Sequence, residues 1–242
     1  LCASVENISG KKIRRISKIR NKEIDVVFGG SPCQGFSMIG KRALDDPRNS
    51  LVFHFLRLIL ELQPKYFVFD NVPGLTLGEH RKFLLEVIEE FEANGYQVEA
   101  DYQVLNAANY GVPQDRARLF ILGCRQGLNL PKYPRPLTAP KISKKSKYIL
   151  KNQDLPATPT VWDAIGHLPE VENSSELMER DWVIADYGKP SDYSSYLRGL
   201  SSLENDYAYE RLFDSYFLTS SNRTKHSQQS VKRFDQTEPG KT

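Results

Sequence analysis

Short apolar runs alternate with longer amphipathic segments through the first half of the chain. Residues 24–28 and 66–69 are apolar runs of strand length that lead into turn-forming sequences, as buried parallel strands do. Between them, residues 51–62 are apolar on nearly every face and stop before Pro64, which predicts a buried helix with Ser50 as its N-cap. The pattern therefore predicts a strand, a helix and a second strand in that order.

A second helix and further strands continue this alternation. Residues 79–94 carry apolar side chains on one face and glutamates on the other, and Gly95 supplies a C-cap, which predicts an amphipathic helix. Residues 96–105 and 118–124 are predicted as strands around a loop. The order predicts an α/β layer with helices on the faces of a mostly parallel sheet. Ligands of such sheets bind beyond the carboxyl ends of the strands, where the loops after the first two strands lie.

The pattern weakens beyond Cys124. Residues 125–160 are rich in proline and lysine, residues 161–168 predict a short helix, and residues 173–221 are rich in serine and tyrosine. We therefore predict three parts, which are a core at residues 1–125, a linking segment at residues 126–170 and a second region at residues 171–242.

Composition sets wide bounds on the class of protein. The chain has 242 residues, 40% of them hydrophobic, and a net charge of only +3, which suits one substantial core and does not by itself indicate a nucleic-acid binder. No apolar stretch approaches the roughly 20 residues that span a membrane, so we expect no membrane partner. Three cysteines without close pairing fit a reducing compartment, and no spacing suggests a zinc site. The first residue is leucine rather than methionine, and the sequence pattern is already under way there. We therefore expect this chain to be a piece of a longer protein.

One cysteine stands on a glycine-bracketed loop directly after the first predicted strand, in the sequence GGSPCQGFS at residues 29–37. Such a loop exposes backbone amides that favour a thiolate, and a thiolate is a nucleophile. Asp70 ends the second strand, and Arg116 and Arg118 alternate, so both point to one side if the chain is extended there. These groups suit attack on an electron-poor heteroaromatic ring that is protonated as it is attacked. Taken singly, an inert buried cysteine and an ordinary ion pair between Asp70 and Arg116 are the simpler interpretations.

The same loops resemble the ordered motifs of cytosine-C5 DNA methyltransferases. GGSPCQGFS resembles the catalytic loop of that family, and the later matches are DPRNSLVF (46–53), PKYFVFDNV (64–72), LNAANYGVPQDRAR (105–118) and TVWDAIGHLP (160–169). Together they cover residues 20–170, and an ordered set is far more specific than one motif. The resemblance implies a Rossmann-like, S-adenosylmethionine-dependent α/β methyltransferase fold with a mixed sheet. It also implies a partial target-recognition region at residues 171–242.

The resemblance implies catalytic roles for four residues. Cys33 would add to carbon 6 of a flipped-out cytosine, and Asp70 would hold or protonate ring nitrogen 3. Carbon 5 would then take the methyl group from S-adenosylmethionine, and loss of its proton would expel Cys33. Arg118 would hold the carbonyl oxygen of the base, and Arg116 would support the loop and backbone phosphates.

Further residues match the family's binding positions. The implied substrate contacts are Gln34, Ser37, Asn71 and Gln114, and the implied contacts with S-adenosylmethionine are Pro32 and Leu51; no metal is implied. The partner would be double-stranded DNA, in a bacterial restriction-modification system at the nucleoid in the cytoplasm. The enzyme would be a monomer, or a complementing subunit if it is split.

Two departures from the family's pattern leave alternatives open. The family nearly always has glutamate where Asp70 stands, and a carboxyl about an ångström out of reach can cost on the order of a hundredfold in rate. The glycine-rich cofactor motif and the closing segment are absent from the sequence, so we expect the chain alone to bind cofactor poorly and to be inactive. The alternatives are a tRNA cytosine-5 methyltransferase, whose loop usually reads Pro-Pro-Cys-Gln-Pro-Phe-Thr, and a non-catalytic DNA-binding relative or split-enzyme subunit.

Overall fold

The computed structural model describes residues 3–31, 50–141, 148–149, 154–170, 174–202, 216–221 and 227–236. It divides the chain into two compact units, Leu1–Thr158 and Pro159–Thr242. The boundary falls within the predicted linking segment, residues 126–170. The assignment of a catalytic core and a target-recognition region to the two sides stays a prediction. Among the described helices, none has the length and apolar character needed to cross a membrane.

The first unit contains a sheet with helices packed against it. Its helices are α1 (Gly10–Ile16), α2 (Ser50–Leu62) and α3 (Glu79–Ala93). Its strands are β1 (Val26–Gly29), β2 (Tyr66–Asn71), β3 (Tyr96–Val98), β4 (Gln103–Asn106) and β5 (Ala117–Arg125). Short 3-10 turns at Pro73–Thr76 and Ala107–Tyr110 follow β2 and β4. The predicted elements are therefore present, with ends that agree or differ by one or two residues.

The sheet is mixed. β1 and β2 are parallel, and β5 runs antiparallel to β2, β3 and β4. The expectation of a mostly parallel sheet is wrong for the described strands, and the mixed sheet that the resemblance implies is confirmed. The physical reason lies before β5, where residues 107–116 form a loop with one short turn and no crossover helix. Two consecutive strands can pair in parallel only if a crossover connection joins them. A loop of this kind instead reverses the chain direction, so the strands that it joins are antiparallel.

Two predicted boundaries also differ. The strand predicted at residues 96–105 is split into β3 and β4, which pair with successive parts of β5. Polar residues separate them, and the backbone amide of Asp101 turns back to the Glu99 carboxylate at 3.4 Å. Ser50 is the first residue of α2 rather than its N-cap. Gly95 has a positive φ of 86°, as expected of a glycine after a helix end.

Aromatic side chains fill the space between the sheet and the helices α2 and α3. Phe67 stacks on Phe91 with ring centroids 4.3 Å apart, and the buried Tyr96 hydroxyl donates to the Pro64 carbonyl oxygen at 2.9 Å. Burial raises the pKa of Tyr96 to about 12. A Cβ at Gly123 would lie 2.3 Å from the Phe67 ring, so only glycine fits opposite this phenylalanine. The core therefore fixes the register of β2 on β5.

The second unit is built from short elements. They are α4 (Val161–Ile165), β6 (Trp182–Ile184), α5 (Asp192–Leu197), β7 (Phe217–Thr219) and α6 (Gln228–Gln236). β6 and β7 pair antiparallel over a small core of Leu177, Val183 and Leu218. The short helix predicted at residues 161–168 is confirmed, and it ends at Ile165. Thr160 and Asp163 form a reciprocal capping box at its start.

His167 is a buried ionisable group in the second unit. It is 5% exposed, its ring stacks on Tyr187 at 5.8 Å, and neither ring nitrogen has a hydrogen-bond partner among the described residues. Burial lowers the pKa of His167 below its ordinary value of 6.5, and the positive charge of Arg198 acts in the same direction. The folded state therefore favours the neutral imidazole.

This burial predicts a loss of stability in mild acid. The unfolded chain takes up a proton at His167 near the ordinary pKa, whereas the folded chain does so only at lower pH. The free energy of unfolding should therefore be fully retained above about pH 6.5 and decrease as the pH falls toward the folded pKa. His167→Phe keeps the ring stack without the titration, so the parent should lose stability relative to this variant between pH 7.5 and 5.5 in denaturant unfolding. Parallel pH curves for the two proteins would contradict this assignment.

Candidate active site

The carboxyl ends of β1 and β2 bring two predicted site regions together. Gly30 directly follows β1, and Asp70 is the penultimate residue of β2. A Cβ placed on Gly30 would lie 3.0 Å from the Asp70 Oδ2 atom and 3.3 Å from the Asp70 carbonyl oxygen. A side chain at this position would crowd the carboxyl group. The glycine therefore lets the loop after β1 start in contact with Asp70.

The residues on both sides of the segment that carries the predicted nucleophile lie at this edge of the sheet. The Ser31 hydroxyl donates to the Leu51 carbonyl oxygen at 3.1 Å, which joins the residues on the two sides of the segment 32–49. Pro32, Cys33, Gln34 and Ser37 lie outside the described residues, so their roles stay predictions. Both flanks of their segment nevertheless lie at the edge of the sheet that carries Asp70.

Asp70 and Arg118 lie on one face of the sheet. The register of β2 on β5 pairs Asp70 with Phe120, and Arg118 is two residues away on β5, so its side chain points to the same side. Arg116 directly precedes β5 and is exposed. Asn71 lies on the opposite, core-facing side, where its Oδ1 accepts from the Val72 amide at 2.8 Å. The alternation of the strand thus separates Asp70 from Asn71.

The surroundings of Asp70 favour a protonated carboxyl group. Burial raises the pKa of Asp70 above its ordinary value, and the charges of Arg118 and Arg116 act in the opposite direction. Its Oδ1 atom is buried and accepts no hydrogen bond from the described residues. Neither Arg116 nor Arg118 lies within ion-pair distance of Asp70 among the residues that the structure describes. The structure therefore does not contain the ordinary ion pair of Asp70 with Arg116, which was the simpler interpretation.

Arg116 and Arg118 also line a pocket of about 250 Å³. Its remaining walls are apolar or aromatic and come from Leu105, Ala107, Tyr110, Phe120 and Pro134. The Gln114 side chain is exposed on the loop that leads to Arg116. A flat ring with a carbonyl oxygen directed at a guanidinium group matches this combination of walls.

Asn106, which the sequence prediction did not single out, holds this loop together. Its side chain is 1% exposed, and its Oδ1 accepts from the Ala108 amide at 3.0 Å and from the Arg116 amide at 3.3 Å. Its Nδ2 donates to Asp115 at 2.7 Å. The signal in the sequence is an asparagine at the end of a strand, the residue type that caps a following helical turn. Asn106 thereby ties the backbone of Arg116 to the start of the loop.

Removing this amide should loosen the loop. Asn106→Ala leaves the buried Ala108 amide and the part-buried Arg116 amide without their shared acceptor, at a cost of about 1–3 kcal/mol in the free energy of unfolding. Hydrogen exchange at these two amides should become faster, and urea unfolding should occur at lower concentration. Asn94→Ala, at an exposed helix end, is the matched control and should change little. Unchanged exchange in the Asn106 variant would contradict the role of this side chain.

A comparison with known protein families identifies the family to which the chain belongs. The family model described as C-5 cytosine-specific DNA methylase matches residues 3–239. The chain belongs to this family. Members of the C-5 cytosine-specific DNA methylase family use S-adenosylmethionine, so the expected family and the expected cofactor of that family are confirmed.

Individual relatives agree with this membership. The chain is 53% identical over 234 residues to the type II methyltransferase M.XorII of Xanthomonas oryzae pv. oryzae, covering 97% of this chain and 51% of that protein. It is 39% identical over 184 residues to the type II methyltransferase M.AquIA of a Picosynechococcus species, covering 73% of each. The chain thus spans about half the length of the first of these C-5 methylase relatives.

A solved structure agrees with the fold. A protein of an Escherichia coli prophage, described as a DNA modification methyltransferase, superposes with a TM-score of 0.53 at 25% identity, covering 81% of this chain and 50% of that one. The expected Rossmann-like α/β methyltransferase fold with a mixed sheet is confirmed.

The structure describes five of the eight predicted catalytic and substrate-binding residues and one of the two predicted cofactor contacts. Of the two predicted cofactor contacts, Leu51 is described, at the start of α2 beside the flank of the segment 32–49. Leu51 alone does not form a pocket for S-adenosylmethionine. In the part of the chain that the structure describes, no cluster of three His, Cys, Asp or Glu side chains could hold a metal ion.

Proposed function

We propose that the protein is a DNA (cytosine-5) methyltransferase of a type II restriction-modification system. The observation that carries this proposal is the close approach of Gly30, at the start of the GGSPCQGFS sequence, to Asp70, in a chain of the C-5 methylase family. A nucleophile and an acid must approach the same ring, and a Cβ placed on Gly30, at the start of the loop that carries Cys33, would lie only 3.0 Å from the Asp70 Oδ2 atom. The type II names of the relatives favour duplex DNA as the substrate.

The reaction begins when the target cytosine leaves the base stack, because its ring carbons are unreachable within a duplex. The Cys33 thiolate forms a bond to carbon 6, and the electron pair of the carbon 5–carbon 6 double bond moves into the ring toward nitrogen 3. Asp70 gives its proton to nitrogen 3, which neutralises that charge. Burial raises the pKa of Asp70, and a shift in this direction supports its role as the acid.

The second half of the reaction restores the aromatic base. Carbon 5 is then electron-rich. S-adenosylmethionine, which Pro32 and Leu51 would contact, would supply the methyl group, and the bond between that methyl carbon and the sulfonium sulfur would break as the bond to carbon 5 forms. Loss of the proton on carbon 5 to solvent then re-forms the double bond and expels Cys33 as a thiolate, and the proton on nitrogen 3 returns to Asp70. Arg118 holds the carbonyl oxygen of the base, and Arg116 binds a backbone phosphate or supports the loop. Gln34, Ser37 and Gln114 would complete the substrate contacts, whereas Asn71 faces the core and would support the end of β2 instead.

The second unit, Pro159–Thr242, would contribute to DNA reading. Its exposed Trp182 and Phe217 stack at 5.2 Å on the paired strands β6 and β7, and Arg180 lies 3.8 Å over the Trp182 ring. A two-stranded ribbon of this kind is one of the shapes that the major groove of DNA accepts. We expect the enzyme to act on bacterial DNA as a monomer, or with a complementing subunit.

Transfer of labelled methyl groups tests this function. The protein produced from its complete gene is incubated with labelled S-adenosylmethionine and either duplex DNA or tRNA, and the labelled nucleoside is identified. We expect 5-methylcytosine in duplex DNA and none in tRNA. Label in tRNA alone would replace the proposal with the tRNA-modifying alternative, and DNA binding without label would favour the non-catalytic one.

A further inference from the structure

A dense run of positive charge lies in the first unit, outside the candidate active site. Residues 11–22 contain seven lysines and arginines and no acidic residue, whereas the whole chain has a net charge of only +3. We call these residues the basic segment. It comprises most of α1 and the loop that leads to β1.

Six of the seven cations point into solvent. They are Lys11, Lys12, Arg15, Lys18, Arg20 and Lys22, each exposed, and none of them forms an ion pair with any described residue. The charge of the basic segment is therefore available to a partner outside the chain.

The acidic residues around the basic segment are already paired elsewhere. Glu23 contacts Lys65 at 3.0 Å and Arg125 at 2.5 Å, and Asp25 contacts Lys65 at 2.8 Å. Glu61, which faces the start of α1, contacts Arg57 at 2.6 Å. Because these carboxylates are neutralised by other cations, they do not cancel the field of the basic segment.

The seventh cation, Arg14, holds the basic segment in a fixed shape. Its guanidinium group donates to the carbonyl oxygens of Arg20 at 3.1 Å, Lys22 at 2.8 Å and Leu62 at 2.5 Å. Lys18 and Arg20 have positive φ angles of 57° and 46°, which non-glycine residues adopt at a cost. Arg14 thus stabilises an unfavourable backbone that presents exposed cations, and such preorganisation favours binding.

The basic segment lies at the amino edge of the sheet. It leads directly into β1, and Arg14 reaches the C-terminal end of α2 through Leu62. Asp70 lies near the opposite, carboxyl edge, and a six-residue strand separates the two edges by about 20 Å. A duplex engaged at the carboxyl edge therefore does not lie against the basic segment.

We propose that the basic segment binds the phosphate backbone of a second stretch of duplex DNA, independent of sequence. The choice of DNA as the polyanion rests on the proposed function; the presence of a phosphate-directed surface rests on the charges and their fixed backbone. Exposed lysines and arginines without side-chain partners suit phosphate contacts, which release counterions and carry no sequence information. A second duplex contact of this kind keeps the enzyme on long DNA while the carboxyl edge samples sites.

Charge removal at four lysines tests this proposal. The variant K11Q/K12Q/K18Q/K22Q leaves Arg14 and its hydrogen bonds in place, and K11R/K12R/K18R/K22R is the charge-retaining control. Both are made in the protein from its complete gene. Affinity for a long non-target duplex is measured over a salt series, and methyl transfer is measured on a short duplex with one target and on a plasmid. Each lost phosphate contact lowers the salt slope by about 0.9.

The proposal predicts a specific pattern. The glutamine variant should lose about tenfold or more in affinity for the long duplex and about 2 to 4 units of salt slope, while the arginine variant binds as the parent does. Methylation of the plasmid should slow in the glutamine variant, and that of the short duplex should stay within twofold of the parent. An unchanged salt slope, an equal loss in both variants, or tighter parental binding of RNA than of duplex DNA would overturn the proposal.

The outcomes separate this inference from the proposed function. A parent that methylates the short duplex, with a glutamine variant that binds long DNA unchanged, would overturn the inference alone. A parent that binds long DNA through these lysines but methylates nothing would overturn the proposed function alone.

Discussion

Replacing Cys33 with alanine is expected to reduce methyl transfer by at least about four orders of magnitude, the scale on which a missing catalytic nucleophile acts. The reason is that carbon 5 of cytosine becomes reactive only after a nucleophile has added to carbon 6. Initial rates with labelled S-adenosylmethionine and duplex DNA measure the loss. Affinity for DNA should change little, since alanine removes the sulfur atom and leaves the loop backbone.

Cys124 offers the matched control for this substitution. It lies in β5 with no exposed surface, and burial raises the pKa of its thiol, which keeps the sulfur protonated and inert. Cys124→Ala should therefore retain methyl transfer at temperatures where the protein stays folded. A Cys33→Ala protein with near-parental rates would refute Cys33 as the nucleophile.

Replacing Asp70 with asparagine is expected to lower the rate of methyl transfer by about 10²- to 10⁴-fold, the usual contribution of a general acid. Asparagine has nearly the same shape but cannot give its proton to ring nitrogen 3. The fold should tolerate it, because Asp70 Oδ1 accepts no hydrogen bond from the described residues. Single-turnover rates, with unfolding measured in parallel, separate the chemical effect from a loss of stability.

Two further variants sharpen this prediction. Asp70→Glu keeps a carboxylic acid and lengthens it by one methylene, so it should retain at least about a tenth of the parental rate, an effect smaller than loss of the acid. Asp101→Asn, in the exposed turn between β3 and β4, should have no effect. Equal rates for the parent and the Asp70→Asn variant would show that another group protonates the base.

The sequence predicted the layers of the first unit because its apolar periodicity is strong. The runs at β1, β2 and α2 are bounded by glycine and proline, and the glutamate face of α3 ends at Gly95, so their positions follow from local chemistry. The direction of β5 did not follow, since it depends on whether a loop or a helix precedes the strand. Periodicity within a strand carries no information about its direction.

The candidate site was predictable in part. The end of the second predicted strand places Asp70 at the carboxyl edge of the sheet, and the register of β2 on β5 then puts Asp70 and Arg118 on one face. Asn106 was missed because its role depends on contacts with Arg116, ten residues later, and with Asp115. The cations of the basic segment have no ion-pair partner among the described residues because the nearby Glu23 and Asp25 pair with Lys65. Such pairings depend on tertiary structure and not on spacing along the chain.

The covalent intermediate is the most direct test of the central claim. The protein from its complete gene is incubated with S-adenosylmethionine and duplex DNA that carries 5-fluorocytosine at the target, where fluorine on carbon 5 prevents the final elimination. Mass spectrometry after proteolysis should then find the peptide with Cys33 bonded to the methylated base. Absence of the adduct, or an equal amount of adduct in the Cys33→Ala protein, would contradict the proposed mechanism.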